Sequence, residues 1–269
     1  MAGRAEELGA RKAAVELPRL FTLAVLAGAF IALGGVFATT ALAGTGGAPW
    51  GPARVLAGAV FSLGLILVVV GGAELFTGNN LVVMAWASGR VSTAAVLLSS
   101  AVVFGGNFVG ATATALAVAV AGIHRGGDGA LGLTALGIAH AKLELGFLQA
   151  VMLGLLCNAL VCLAVWLSYS ARTTTDRILA VLPPISAFVA AGFEHSIANM
   201  YFVPYAMFVA ALDPEFIAAR GLGHQAEALT WLAFLGRNLL PVTIGNILGG
   251  SVLVGAVYWF VYLRPRSAR

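Results

Sequence analysis

An all-α membrane protein, with six spans arranged as an inverted three-plus-three repeat, is the fold class the sequence predicts. Three observations predict it. The 269-residue chain is 60% hydrophobic and 10% charged, with mean hydropathy +0.97, whereas soluble domains carry roughly 25% charged residues. Its apolar stretches have lengths that suit a hydrocarbon layer of about 30 Å, which takes roughly 20 helical residues. Two of those stretches are interrupted by polar, glycine-containing segments in matching positions.

The length suits one transmembrane domain, residues 1–269 with its core at 20–263, with little left over for a soluble module. The opening MAGRAEELGARKAAVELPRL has mixed charge and helical tendency, and lacks the short apolar core and cleavage site of a secretory signal. Span 1 runs from about Phe21 to Leu42 and ends in the turn GTGGAPWGP. Span 2 begins near Arg54, reads as helix to about Val70, and breaks at GGAELFTGNN before LVVMAWAS. Span 3 follows Gly89-Arg90 and continues to about Ile123, long enough to tilt. After HRGGDGALG and a weakly apolar piece holding His140, Lys142 and Glu144, span 4 occupies Leu145 to Tyr169. Span 5 starts near Ile178, breaks at GFEHSIAN, and resumes to Ala211. DPEFIAARGLGHQAEA is the longest polar connection, and span 6 covers Leu229 to Leu263.

Six spans put both termini on one side. Ten of the basic residues then fall on that side: Arg4, Arg11, Lys12, Arg19, Arg90, Arg172, Arg177, Arg264, Arg266 and Arg269. Arg54, Arg125, Lys142, Arg220 and Arg237 fall on the other. Lys and Arg concentrate in cytoplasmic loops, so the termini are expected in the cytoplasm. Basic residues scattered between apolar runs do not form a nucleic-acid face. Cys157 and Cys162 sit in an apolar run and read as small hydrophobes, not as a disulfide or metal site. No nucleotide loop, CxxC pair, HExxH or GxSxG is present. The sequence therefore points to no enzyme, cofactor or metal, and to passive or proton-coupled passage over ATP-driven transport.

Glu74 and Glu194 lie inside the two interrupted spans. An ionisable group at membrane depth is costly and faces protein interior or a pathway. Irregular backbone at that depth needs protein or a cavity around it. Helices 2 and 5 are accordingly expected to be discontinuous, with backbone N–H groups and positive helix ends near the midplane, where they favour an anion. GNFVG at 106–110 and GNILG at 245–249 recur late in spans 3 and 6, so each half reads as plain helix, broken helix, then a helix with G-N-x-x-G. An odd number of spans per half gives the halves opposite orientation.

Thr77 offers a hydroxyl in the first break, and His195 an imidazole in the second, able to donate, to attract an anion as a cation, or to pass a proton. Glu74 and Glu194 repel anions and are expected to cap backbone N–H groups and hold the loops. Lys142 either draws anions to a mouth or is a plain surface lysine. Asn107, Asn158 and Asn246 either satisfy loop backbone or join helices. Phe61 and Leu65 lie one turn apart in span 2, and Leu75 and Phe188 flank the breaks; such side chains gate a pore or simply pack.

FSLGLILVVVGGAELFTGNN, the ASGR turn, GNFVG, LLCNALVCLAVWLSYSAR, GFEHSIANMYFVP and NLLPVTIGNILGG carry a resemblance to the formate/nitrite transporter family over roughly residues 15–263. The resemblance implies a homopentamer of aquaporin-like protomers in a prokaryotic inner membrane, each with helices 2 and 5 broken by pore loops. It implies passage of formate, nitrite, hydrosulfide or related small monovalent anions, often with protons. By that pattern Thr77 and His195 flank the central chamber, Phe61, Leu65, Leu75 and Phe188 form constrictions, and Lys142, Asn158 and Asn246 belong to the pathway. Glu74, Glu194, Asn107 and Asn199 hold the loops. Formate is the expected anion, with nitrite or hydrosulfide the alternatives within the family. A non-conducting membrane scaffold is the reading of a different class, and an aquaporin-type channel is disfavoured by the lack of paired Asn-Pro-Ala.

Overall fold

The computed structural model describes residues 1–264; Arg266 and Arg269, counted above with the termini, lie outside the described residues. The chain is all helical. A short amphipathic α1 (Ala2–Ala13) precedes α2 (Leu17–Leu42), which opens with Pro18 in its first turn and stops before Gly44, held at φ 72°. Then come α3 (Trp50–Gly71), the short α4 (Phe76–Asn79) and α5 (Val83–Ala87) joined by a 3₁₀ turn, and α6 (Thr93–Val120), capped by Ser92. The second half follows with α7 (Ala130–Leu143), α8 (Phe147–Ser168), α9 (Thr174–Ala191) and α10 (Ser196–Leu212). The small α11 (Pro214–Ala219) and α12 (Gly223–Ala228) lead to α13 (Trp231–Tyr262). Six helices, α2, α3, α6, α8, α9 and α13, are long and apolar enough to cross a membrane.

Glycine sets the helix packing. A Cβ at Gly28 would fall on the backbone of Asn107, and one at Gly110 on the carbonyl of Val25, so α2 and α6 touch backbone to backbone. In the second half Gly245 and Gly249 of α13 meet Val151 and Leu155 of α8 in the same way. Both G-N-x-x-G elements therefore use their glycines for close approach, as small residues do where lipid supplies no hydrophobic drive for association. Between the halves, α3 lies on α9, with Gly58 against Ser186.

α1 and the end of α13 share a face, where α1 packs through Ala5 and Gly9 on the α5 region and Tyr258 and Tyr262 of α13 pack on Trp166. This is the proximal face. The distal face carries α7, α11 and α12. There His124 Nε2 and Arg125 Nε both meet Asp213 Oδ2, at 2.8 and 2.7 Å. Asp213 also accepts from the Phe216 amide, starting α11. The His124 bond, with the help of these others, holds the Asp213 carboxyl down at about 2. At the proximal end of α9, Thr173 and Asp176 form a capping box, with the Arg172 and Thr173 amides donating to Asp176 Oδ2 at 3.0 Å.

One departure from an ordinary helix was not foreseen. Span α13 contains two π-helical stretches, Phe234–Leu239 and Leu248–Ala256. Such wide turns are rare and often accompany functional positions.

Candidate functional site

The site grows from two interruptions of the same construction. Helix α3 ends at Gly72 (φ 76°) and α9 at Gly192 (φ 77°), a left-handed conformation that glycine adopts without strain. Three extended residues follow each, and the chain turns back into helix at Phe76 and at Ser196. One asparagine braces each interruption. Asn107 Nδ2 donates to the carbonyls of Ala24 (2.7 Å) and Glu74 (2.9 Å), while its Oδ1 accepts from the Phe76 amide (2.9 Å). Asn246 Nδ2 donates to Gly154 (2.8 Å) and Glu194 (2.9 Å), while its Oδ1 accepts from the Ser196 amide (2.9 Å). The Glu74 amide donates to Leu23 and the Glu194 amide to Leu153. Every one of these groups is buried, where an unpaired polar atom costs about 1–3 kcal/mol.

The carboxylates do not cap backbone amides as expected. The asparagine carbonyls already occupy the first N–H groups of both resumed helices. The two carboxylates turn to side chains. Lys12 Nζ and Asn79 Nδ2 donate to Glu74 Oε2, at 2.9 and 2.8 Å. Lys142 Nζ donates to Glu194 Oε1 at 2.8 Å, and Asn199 Nδ2 to Oε2 at 2.6 Å. Lys142 is thus an ion-paired, largely buried side chain near the end of α7, neither a solvated surface lysine nor a free cation.

Thr77 and His195 come together from opposite loops, Oγ1 to Nε2 at 3.0 Å, both buried. The Ala198 amide donates to His195 Nδ1 at 3.1 Å. Because Nδ1 accepts, the neutral ring carries its proton on Nε2, and that N–H donates to Thr77 Oγ1. The Thr77 hydroxyl proton is then left over to donate elsewhere.

One chamber is walled by His195, a second by Leu75 and Gly78 on either side of Thr77 in sequence, and Thr77 itself lines neither. The distal chamber, about 280 Å³, is walled by Arg54, Phe61, Lys142, Phe188, His195 and Phe202, among others. The proximal chamber, about 270 Å³, includes Arg4, Lys12, Leu65, Leu75, Asn79 and Arg177. The Phe61 and Phe188 rings pack edge to face at 5.8 Å, and Phe188 stacks on the His195 ring at the same spacing. The four residues expected at constrictions thus divide into a ring pair on the distal wall and a leucine pair on the proximal wall.

Asn158 is placed differently from the pathway expectation. It is fully buried, donates to the Asn246 carbonyl at 2.6 Å, and lines neither chamber. Asn246 likewise faces backbone. Lys12, Asn79, Asn238, Arg54 and Phe202 were not singled out from the sequence. Asn79 could have been found, since it follows Glu74 by five residues as Asn199 follows Glu194. Lys12 also had a signal, a lysine shortly before the first span of each half. Asn238, which accepts from Asn199 at 2.8 Å and donates to the Lys142 carbonyl at 3.0 Å, had none.

Comparison with known proteins adds an independent line. A family model described as formate/nitrite transporter matches residues 1–260. The formate channel FocA of Escherichia coli is 45% identical over 269 residues, spanning 99% of this chain and 94% of that protein. The formate channel BtFdhC of Bacillus thuringiensis is 37% identical over 267 residues, spanning 97% and 93%. A solved structure described as a pentameric formate channel with formate bound superposes with TM-score 0.87 at 43% identity, covering 92% of this chain and 98% of that one.

Proposed function

The chain belongs to the formate/nitrite transporter family, and from that premise we propose that it passes small monovalent anions, formate foremost, across a prokaryotic inner membrane. The observation that carries this reading is the buried Thr77–His195 pair, with His195 on the wall of one chamber and the neighbours of Thr77, Leu75 and Gly78, on the wall of the other. An anion leaving water loses its hydration, and only a donor aimed at it offsets that loss. The Thr77 hydroxyl is such a donor, because the Ala198–His195–Thr77 chain of bonds leaves its proton unused. Apolar walls at Phe61 with Phe188, and at Leu65 with Leu75, exclude hydrated ions and admit a small acceptor.

In this reading the distal chamber leads past the phenylalanines to His195 and Thr77, then past the leucines to the proximal chamber. Helices α3–α4 and α9–α10 are the two broken pore helices. Asn107 and Asn246, with Glu74, Glu194 and Asn199, hold their loops. The matched braces support an inverted repeat, and the excess of basic residues supports a cytoplasmic proximal face. Exposed apolar residues such as Leu97, Leu148 and Leu232 would meet lipid or neighbouring protomers of a pentamer, as in the pentameric relative.

Flux into proteoliposomes tests the proposal, comparing formate, nitrite, hydrosulfide, lactate and water across pH with proton flux recorded alongside. Formate flux that Thr77→Val lowers about ten-fold or more supports it; water flux without anion flux overturns it. Transport of the bare anion keeps the Ala198–His195 bond. Stoichiometric proton entry would mean that this bond opens in each cycle, because a ring protonated at both nitrogens cannot accept from Ala198.

A further inference from the structure

At both mouths the lysines are neutralised and the arginines are not. Lys142 is paired with Glu194, and Lys12 with Glu74, at 2.8 and 2.9 Å. Each glutamate also accepts from an asparagine, and each lysine's charge is balanced by its carboxylate, so neither pair contributes net charge to its chamber. Arg54, half-buried in the distal chamber, makes no ion pair among the described residues. It donates instead to carbonyls at the C-terminal end of α9, Val189 at 2.7 Å and Ala190 at 3.3 Å. Arg4, on the proximal chamber wall, donates to the carbonyl of Tyr169, which caps α8, and has no carboxylate partner among the described residues. Arg177 lines the same chamber, again without a carboxylate partner among the described residues. A helix end offsets only about half a unit charge. A net positive charge therefore remains in each chamber, and it resides on arginine.

We propose that Arg54 on the distal side, and Arg4 with Arg177 on the proximal side, are the groups that recruit small monovalent anions to the two mouths, while Lys142 and Lys12 hold the loop glutamates. This rests on the anion-passage reading above. A cationic wall in a low-dielectric funnel raises the local concentration of anions, and salt within a Debye length, about 10 Å at 0.1 M, screens it. Arg54 and Arg4 also each tie a helix end to the chamber wall, so their charges are fixed in place where a solvated lysine would wander.

The test is formate permeability, at concentrations well below saturation, in vesicles carrying the protein in one orientation. An impermeant salt is raised from about 10 to 300 mM on one side at a time, a span over which the Debye length shrinks from about 30 to under 10 Å. Wild-type permeability is expected to fall about three-fold or more with salt on either side. Arg54→Gln is expected to lose the response to distal salt, keep the response to proximal salt, and show the lowered permeability at low salt. Arg54→Lys should restore the distal response. Arg177→Gln together with Arg4→Gln should do the converse on the proximal side. Should Arg54→Gln not fold, as judged by its elution as a single assembly, the wild type and Arg54→Lys still decide. A wild type that conducts formate but ignores distal salt overturns this inference and leaves anion passage standing, as does an Arg54→Gln protein with an unchanged distal response. A wild type that conducts no anion overturns the earlier reading instead.

Discussion

In the proposed pathway, Thr77 is the residue on which the chemistry turns. Its hydroxyl accepts from His195 and has one proton to give. Thr77→Ser keeps that proton and is expected to retain flux, whereas Thr77→Val removes it at nearly constant shape. A hydrogen bond to a charged group is worth about 1.5–3 kcal/mol, so flux should drop about ten- to hundred-fold, read as radiolabelled formate uptake. Asn246 predicts a different kind of loss. Its carboxamide joins three backbone groups from α8, the second loop and α10. Asn246→Ala strands them in the interior, and about 2–4 kcal/mol of stability should disappear, visible as a lower unfolding midpoint in detergent. Both residues were legible in the sequence as types: a hydroxyl in a break, an amide in an apolar helix. What could not be read was the partner each one takes. Periodicity locates a residue along its own helix, and the Thr77–His195 contact joins positions 118 apart.

At the scale of elements, the helix breaks and the G-N-x-x-G segments were visible before any coordinates, because glycine beside a buried acid has few explanations at membrane depth. The closeness of α2 to α6 was not, yet it makes a sharp prediction. Gly110→Leu would drive a side chain into the Val25 carbonyl, and the protein should fail to accumulate in membranes, whereas Gly105→Leu on the same helix meets open space and should be tolerated. The π-helical turns of α13 were equally hidden, since no composition rule marks a wide turn. On the distal face, Asp213 ties the segment after α6 to α11. Its folded carboxyl titrates at about 2, below the ordinary 3.8. The stabilisation is therefore complete above about pH 4 and is lost as pH falls toward 2. Subtracting the unfolding midpoints of Asp213→Asn from those of wild type should give a difference that is constant above pH 4 and shrinks below it.

For the molecule as a whole, the two halves share glycine turns, asparagine braces and glutamate–lysine pairs at either end of the passage. Their agreement is broken at one telling place. The residue that opens the resumed helix is Leu75 in the first half and His195 in the second, each in extended conformation and each one position after its glutamate. The arginine complement differs as well, with Arg54 on one chamber wall and Arg4 and Arg177 on the other. On the proposed pathway, a solute arriving from the distal side meets an imidazole wall before the shared hydroxyl, and from the proximal side it meets hydrocarbon. Free-energy profiles that are uneven along their length cannot pump, since the end points alone fix equilibrium. They do rectify: once traffic is heavy enough to fill the central position, equal and opposite gradients should drive unequal currents, and replacing Leu75 with histidine is the change that should bring the two directions closer together.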